Sequence, residues 1–343
     1  MVVIGAGAWG TAFASRISAG HPSAKVFLWS RNTKLVDDLI EKKTNEKYLK
    51  NLKLCERLRF SSDLQLILRK GEEFSKLKNE LQTIVFAVPV SALAEICEKL
   101  KTVDISPETS LLWLCKGVLV HEKQITWPSQ LIEKFFPNSR HFALSGPSFA
   151  QEVAAGLPFA LTCAGNDLEQ VRNVSESLKC RGLRIYSSDD LIGVQLAGAM
   201  KNVLAIAAGI CDGMNLGLNA RASLITRGLS ETARLGVAIN AKRETFLGLA
   251  ALGDLILTST GNLSRNRKVG LGLANGQDLQ TILKNLGHVA EGVSTAPLLL
   301  DLAQKRNIEV PITKAVCDLL IMKIKPEEVL KNLLSRDFSD ENL

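Results

Sequence analysis

The sequence predicts an α/β chain in two parts, a doubly wound sheet over residues 1–186 and an all-α domain over residues 187–343. Three observations predict it. Short apolar strands alternate with helical stretches as far as Tyr186, the order of βαβ units around a parallel sheet. After Ser187-Ser188-Asp189 the strand signal stops, and helical periodicity with glycine breaks takes over. The length of 343 residues also suffices for two separate cores.

Taken in order, Val2–Ile4 is the first strand, and Thr11–Ala19 is a helix with small residues toward the sheet. Lys25–Trp29 is the second strand, one βαβ unit later. Leu35–Lys43 is helical, whereas Lys47–Arg59 has no clean period. Thr83–Val88 is a strand stopped by Pro89, with Ser91 placed to cap a helix over Ala92–Leu100. Leu111–Cys115, His141–Leu144, Phe159–Cys163 and Leu183–Tyr186 complete the strands. Ligands of such sheets gather at the carboxyl ends of the strands. Lys116 and the turn Ser145-Gly146-Pro147-Ser148 both fall there.

Composition narrows the function classes. With 46% apolar and 22% charged residues the chain is globular. Its net charge of +7 is spread along the sequence, and 5% aromatic residues argue against a base-stacking surface. The Lys-rich stretch 34–59 reads as a solvated face, so no nucleic-acid partner is expected. The seven cysteines are odd in number and form no CxxC pair, so neither a disulfide framework nor a zinc site is expected. His21, His121, His141 and His288 lack metal-ligand spacing; the metal expectation is none. A reducing, cytoplasmic setting follows. No signal peptide is expected, because the first strand begins at Val2. The apolar run around Lys201-Asn202, broken by Gly193, Gly198 and Gly209, reads as a buried core helix rather than a stable membrane insertion.

Gly5-Ala6-Gly7-Ala8-Trp9-Gly10 follows a strand and opens a helix, with a second strand at the expected distance. That is the Rossmann-type dinucleotide fingerprint in its proper context. Gly5 serves the tight turn, Gly7 the approach of a pyrophosphate, and Gly10 the close helix–strand packing. The helix N-terminus offers free amides and a partial positive charge. Ser30-Arg31 stands where an NAD-specific site usually carries an acid. Arg31 can pair with a 2′-phosphate, so NADPH is expected to serve at least as well as NADH.

Lys201 lies inside the apolar run Leu191–Cys211. A buried ammonium loses its hydration, so it is deprotonated, paired or used, unless it snorkels from the end of a core helix.

The strings GAGAWGTAFA (5–14), LSGPSFAQEVAAGLP (144–158), KNVLAIAAG (201–209), TRGLSE (226–231), GLAALGDLILTSTGNLSRNRKVG (248–270) and EGVSTA (291–296) span most of the chain. In sequence and order they resemble the NAD(P)-dependent glycerol-3-phosphate dehydrogenases of the bacterial and organellar type. The resemblance implies an oxidoreductase that interconverts dihydroxyacetone phosphate and sn-glycerol 3-phosphate, the product being destined for glycerophospholipid synthesis. It implies Lys201 as proton donor and acceptor, with Lys116 polarising the carbonyl and Asp254 orienting the lysine and a substrate hydroxyl. Asn202, Thr258, Gly146 and Ser148 join the substrate side. Ser264-Arg265-Asn266 is the expected phosphate seat, with Ser264 capping a helix and Arg265 offering a planar fork; a surface arginine on an ordinary capped helix is the plainer reading. Ala8, Trp9, Ala150, Arg265, Val289 and Glu291 match cofactor contacts, although Trp9 reads equally well as a core aromatic.

The chain departs from the resemblance at Lys50-Asn51, Cys115, Phe159 and Ile125–Ser129, and in Lys70–Gln82, which looks like a charged insertion. The rival readings are a related β-hydroxyacid dehydrogenase and a non-catalytic NAD(P)-binding sensor. The substrate segment around Asp254 and Arg265 weighs against the first, and two lysines with an acid have no obvious use in the second. A homodimer is left open.

Overall fold

A computed structural model describes residues 1–78, 82–103, 105–287, 289–322 and 324–334. Residues 79–81 of the expected insertion, His288, and 335–343 of the expected helical domain lie outside the described residues. The chain divides into two units. One comprises Met1–Cys115, Pro128–Leu144 and Ser148–Asp189; the other comprises Lys116–Trp127, Ser145–Pro147 and Asp190–Leu343.

The first unit begins with β1 (Val2–Ile4), α1 (Ala8–Gly20), β2 (Phe27–Trp29) and α2 (Thr33–Lys42). β3 (Thr44–Asn45) and β4 (Leu49–Lys53) form a separate antiparallel hairpin, and β5 (Arg59–Ser61) rejoins the main sheet. α3 (Leu64–Lys78) leads to β6 (Thr83–Phe86), α4 (Leu93–Leu100) and β7 (Ser110–Trp113). The antiparallel hairpin of β8 (Leu119–His121) and β9 (Gln124–Thr126) belongs to the second unit. α5 (Pro128–Phe135), β10 (Arg140–Ser145), α6 (Ala150–Ala154), β11 (Phe159–Ala164), α7 (Leu168–Leu178) and β12 (Leu183–Ser188) follow.

The eight-stranded sheet runs β12-β11-β10-β7-β6-β1-β2-β5. Its central pairs β2–β1, β1–β6 and β6–β7 are parallel. β1, β2 and β6 are wholly buried, which is why each reads as an unbroken apolar run. The winding reverses between β1 and β6, the switch point at which such sheets take ligands.

One local expectation fails, and two stretches left without an element acquire one. Ser91 caps nothing: Val90–Ala92 is a 3-10 turn, α4 starts at Leu93, and Ala92 at its N-cap makes no side-chain bond. The aperiodic stretch 47–59 holds β4 and the start of β5. Their pattern is hidden because β4 buries only Leu49 fully and β5 buries nothing fully. The charged run from Lys70 is the second half of α3, which buries Ile67, Leu68, Gly71 and Ser75 and turns its lysines outward.

The second unit winds helices around α8 (Leu191–Gly213). Among them are α9 (Gly217–Ala238), α10 (Asp254–Thr260), α11 (Arg265–Ala274), α12 (Leu279–Leu286), α13 (Glu291–Lys305), α14 (Pro311–Leu320) and α15 (Pro326–Leu334). Asp190 starts α8: one carboxylate oxygen accepts the Gly193 amide at 2.9 Å, and the other takes the Lys242 amide and the Thr245 hydroxyl. α8 is long and apolar enough to cross a membrane, yet 94% of its most apolar window is buried inside the protein. A helix covered on every side needs no polar face. It meets α11 at backbone distance: a Cβ on Gly209 would fall 2.0 Å from the Arg267 carbonyl oxygen, and one on Gly270 2.0 Å from that of Ile206. Asp212 then clamps both Arg221 and Arg267. Glu231, fully buried on α9, caps α14 by accepting the Ile312 and Thr313 amides and the Thr313 hydroxyl.

Candidate active site

Two groups of residues carry the expected chemistry, one in each unit. In the first unit the Ile4–Gly10 segment turns from β1 into α1 beside Ala87. Gly5 has φ +116°, in the region that favours glycine, and its amide donates to the Trp29 carbonyl at 3.0 Å. A Cβ on Gly10 would lie 2.0 Å from the Gly5 carbonyl oxygen, so the close packing expected there is real. Gly7 differs: its φ is −70°, open to any residue, and a Cβ there would meet nothing within 4 Å. Among the described residues nothing requires that glycine, so the space beside it fits a pyrophosphate approaching the backbone. α1 has no side-chain cap, and a helix N-terminus of that kind can accept an anion.

Trp9 is half-buried and packs edge-on to Phe13 and Phe159, with ring centroids 5.9 and 6.2 Å apart. Ala8 and Ala150 join the same small cluster around Ala12, Leu49 and Val153. Arg31 is exposed and stands 3.5 Å from Glu95. Ser148, like Ala150, belongs to the first unit.

In the second unit the turn of helix before Asp254 is π-helical, Leu249–Gly253, a form frequent at functional sites. It places Asp254 and Thr258 one turn apart on α10. The Lys201 ammonium donates to Asp254 Oδ1 at 2.7 Å and to Thr258 Oγ1 at 2.9 Å. The Lys116 ammonium donates to Asp254 Oδ2 at 2.5 Å and to the Gly146 carbonyl at 3.2 Å. One carboxylate therefore holds two ammonium groups, all three nearly buried. Lys201 does not snorkel.

Burial pushes the Lys201 pKa down to about 8; Asp254 pulls it up and Lys116 pushes it further down. Burial raises the Asp254 pKa, but the charges and hydrogen bonds of the two lysines outweigh that and hold it below the usual carboxylate range. Glu291, at the start of α13, also acts on Lys201 by its charge.

A chain of amides braces this cluster. Asn202 donates to the Lys116 carbonyl at 3.0 Å, Asn266 donates to Asn202 Oδ1 at 2.9 Å, and the Gly292 amide donates to Asn266 Oδ1 at 3.1 Å. The Ser264 hydroxyl caps α11 by accepting the Arg267 amide at 3.2 Å. That leaves the amides of Arg265 and Asn266 without a partner among the described residues, at a helix N-terminus beside an exposed Arg265 side chain. Val289 is exposed.

Sequence reasoning missed Gly292 and Ser145. The Ser145 hydroxyl is buried without a hydrogen-bond partner among the described residues, and both it and the Lys116 side chain lie about 3.5 Å from where a Cβ on Gly198 would stand. Its place in the Ser145–Ser148 turn was the only signal.

Two family models match the chain: the N-terminus of NAD-dependent glycerol-3-phosphate dehydrogenase over residues 1–171 and its C-terminus over 190–331. The chain belongs to the NAD-dependent glycerol-3-phosphate dehydrogenase family. It is thus of an oxidoreductase family that uses NAD(P). A glycerol-3-phosphate dehydrogenase (NAD(P)+) of Thiobacillus denitrificans is 45% identical over 342 residues, covering 99% of both chains. One of Burkholderia lata is 45% identical over 338 residues, covering 98% of both. The crystal structure of glycerol-3-phosphate dehydrogenase from Coxiella burnetii superposes with a TM-score of 0.87 at 37% identity, covering 98% of each chain.

Proposed function

We propose that this chain interconverts dihydroxyacetone phosphate and glycerol 3-phosphate, with Lys201 as the proton carrier. The observation that supports it is the Lys201–Asp254–Lys116 cluster, in which an ammonium with a pKa of about 8 is held by a carboxylate in a nearly buried site. Bound NAD(P)H supplies the hydride. The developing alkoxide needs a proton and nearby positive charge; Lys201 gives the first and Lys116 supports the second. Asp254 keeps both ammonium groups in place, and the Thr258 hydroxyl beside it gives the Lys201 headgroup a second acceptor. Asn202 and Asn266 hold the Lys116 backbone, while Ser264 caps α11 through the Arg267 amide and leaves the two amides that, with Arg265, would seat the phosphate. Gly146 and Ser148 stand on the substrate side.

The first unit's fingerprint, Gly5, Gly7 and Gly10 with Ala8, Trp9 and Ala150, binds the dinucleotide in this reading, and Arg31 takes the 2′-phosphate of NADPH. Val289, Glu291 and Arg265 complete the cofactor contacts. Residues 1–186 then form the dinucleotide domain and 187–343 the substrate domain. The product would feed glycerophospholipid synthesis in the cytoplasm.

The test is oxidation of NADPH, and separately NADH, at 340 nm with dihydroxyacetone phosphate. Wild type turns over, and Lys201→Met loses about 10³-fold in kcat while still binding the dinucleotide. A Lys201→Met enzyme with near-wild-type kcat overturns the assignment.

A further inference from the structure

The dinucleotide turn has no side chain of its own to hold it. Gly5 and Gly7 have none, and α1 starts without a side-chain cap. The restraint comes from Asn45 on the β3–β4 hairpin, a residue with no exposed surface. Its carboxamide nitrogen donates one hydrogen to the Ala6 carbonyl at 3.1 Å and the other to Thr11 Oγ1 at 2.8 Å. The two acceptors flank the start of α1, so one side chain spans the turn. Asn45 is itself fixed, because its carbonyl accepts the Tyr48 amide at 3.0 Å and Leu49 packs on Ala12 of α1.

The consequence runs through the peptide plane. Ala6 C=O and Gly7 N–H belong to one planar trans unit and point in opposite directions. Pinning the Ala6 oxygen toward Asn45 therefore points the Gly7 N–H away from it. We propose that Asn45 is a positioning residue for the dinucleotide, orienting the Ala6–Gly7 peptide so that the Gly7 amide is preset to donate to a pyrophosphate oxygen. This rests on the dinucleotide reading given above. A donor with fixed direction does not have to be ordered when the ligand arrives. Only an uncharged carboxamide supplies two donors in that space without placing a negative charge beside the anion; aspartate would do the opposite.

The test measures NADPH and NADH dissociation constants by fluorescence titration, with the melting temperature of the free protein and the KM for dihydroxyacetone phosphate. Asn45→Ala raises both cofactor dissociation constants about tenfold, and Thr11→Val, which removes one acceptor of the pair, raises them about two- to threefold. The KM for the triose phosphate stays within about twofold of wild type at saturating cofactor. A wild-type dissociation constant in Asn45→Ala, whatever its melting temperature, overturns the inference, as does an equal rise in the triose phosphate KM. If Asn45→Ala does not fold, Thr11→Val decides, an unchanged constant counting against it. Wild-type protein that binds no dinucleotide would overturn the functional reading itself; wild-type binding with no effect of either variant overturns only the role of Asn45.

Discussion

The dinucleotide turn and the lysine cluster prepare for negative charge by different means. Between Gly5 and Gly10 no side chain is ionisable; the turn offers amides, a helix terminus and the room left by missing side chains. Around Asp254 the reverse holds, with two ammonium groups and a carboxylate in near-complete burial. Amide donors do not titrate, so the first region should bind equally well across the neutral range. The second has a proton to lose. Lys201 is cationic below about pH 8 and neutral above it, so ketone reduction, which needs the cation, falls as pH rises through about 8, while alcohol oxidation rises. What the difference teaches is that binding and proton transfer can be broken one at a time.

The largest effect that would break the comparison is expected from Asp254→Asn. The amide keeps the shape but removes the carboxylate that offsets two buried ammonium groups. Lys116 and burial then act on Lys201 with only the Glu291 charge against them, and its pKa falls below about 8. Reduction at pH 7.5 should drop about 10²- to 10³-fold, and the pH midpoint should move to lower pH. The NADPH dissociation constant should not change. A midpoint left at about 8 would show that Lys201 is not the group that titrates.

Arg265→Gln comes next. Ser264 occupies the Arg267 amide, so the two free amides of α11 remain in the variant and only the guanidinium is lost. The KM for dihydroxyacetone phosphate should rise about 10- to 100-fold, and that for the cofactor far less. Equal rises in both would sink the assignment of Arg265 to the phosphate seat.

How much of this was legible depended on whether the cause was local. β1 and β6 stood out because buried parallel strands are continuous apolar runs, and the fingerprint because its glycines recur at a fixed spacing between a strand and a helix, with Gly10 packed on the Gly5 carbonyl. α8 was legible as a core helix from the same all-round apolarity. The β3–β4 hairpin was not, since a two-residue strand and a largely exposed five-residue one carry no period, and so Asn45 drew no notice. The pairing of Lys116 with Asp254 joins residues 138 apart in the chain. No spacing rule reaches that far, and the family resemblance named both residues without pairing them. Asp212 and Glu231 look like ordinary helix charges in sequence. Only packing shows the first clamping two arginines and the second capping another helix. The likeness to known relatives also hid a division of labour within the expected substrate residues. The Asn202 and Asn266 carboxamides bond to the protein itself, one to the Lys116 carbonyl and the other to the Gly292 amide.

The smallest expected effect sharpens the comparison at the edge of the dinucleotide region, where a side-chain charge does enter. Arg31 lies 3.5 Å from Glu95, which also holds Lys99 at 2.6 Å. A 2′-phosphate must compete with Glu95 for the Arg31 guanidinium, whereas NADH brings no such group. Exposed ion pairs are weak and screened by salt, so the competition is mild. Glu95→Gln should raise the ratio of kcat/KM for NADPH over NADH by about two- to threefold at low salt. The gain should shrink as salt is added, and it should vanish in Arg31→Ala. A gain that survives Arg31→Ala would mean that Glu95 acts on the cofactor by some other route.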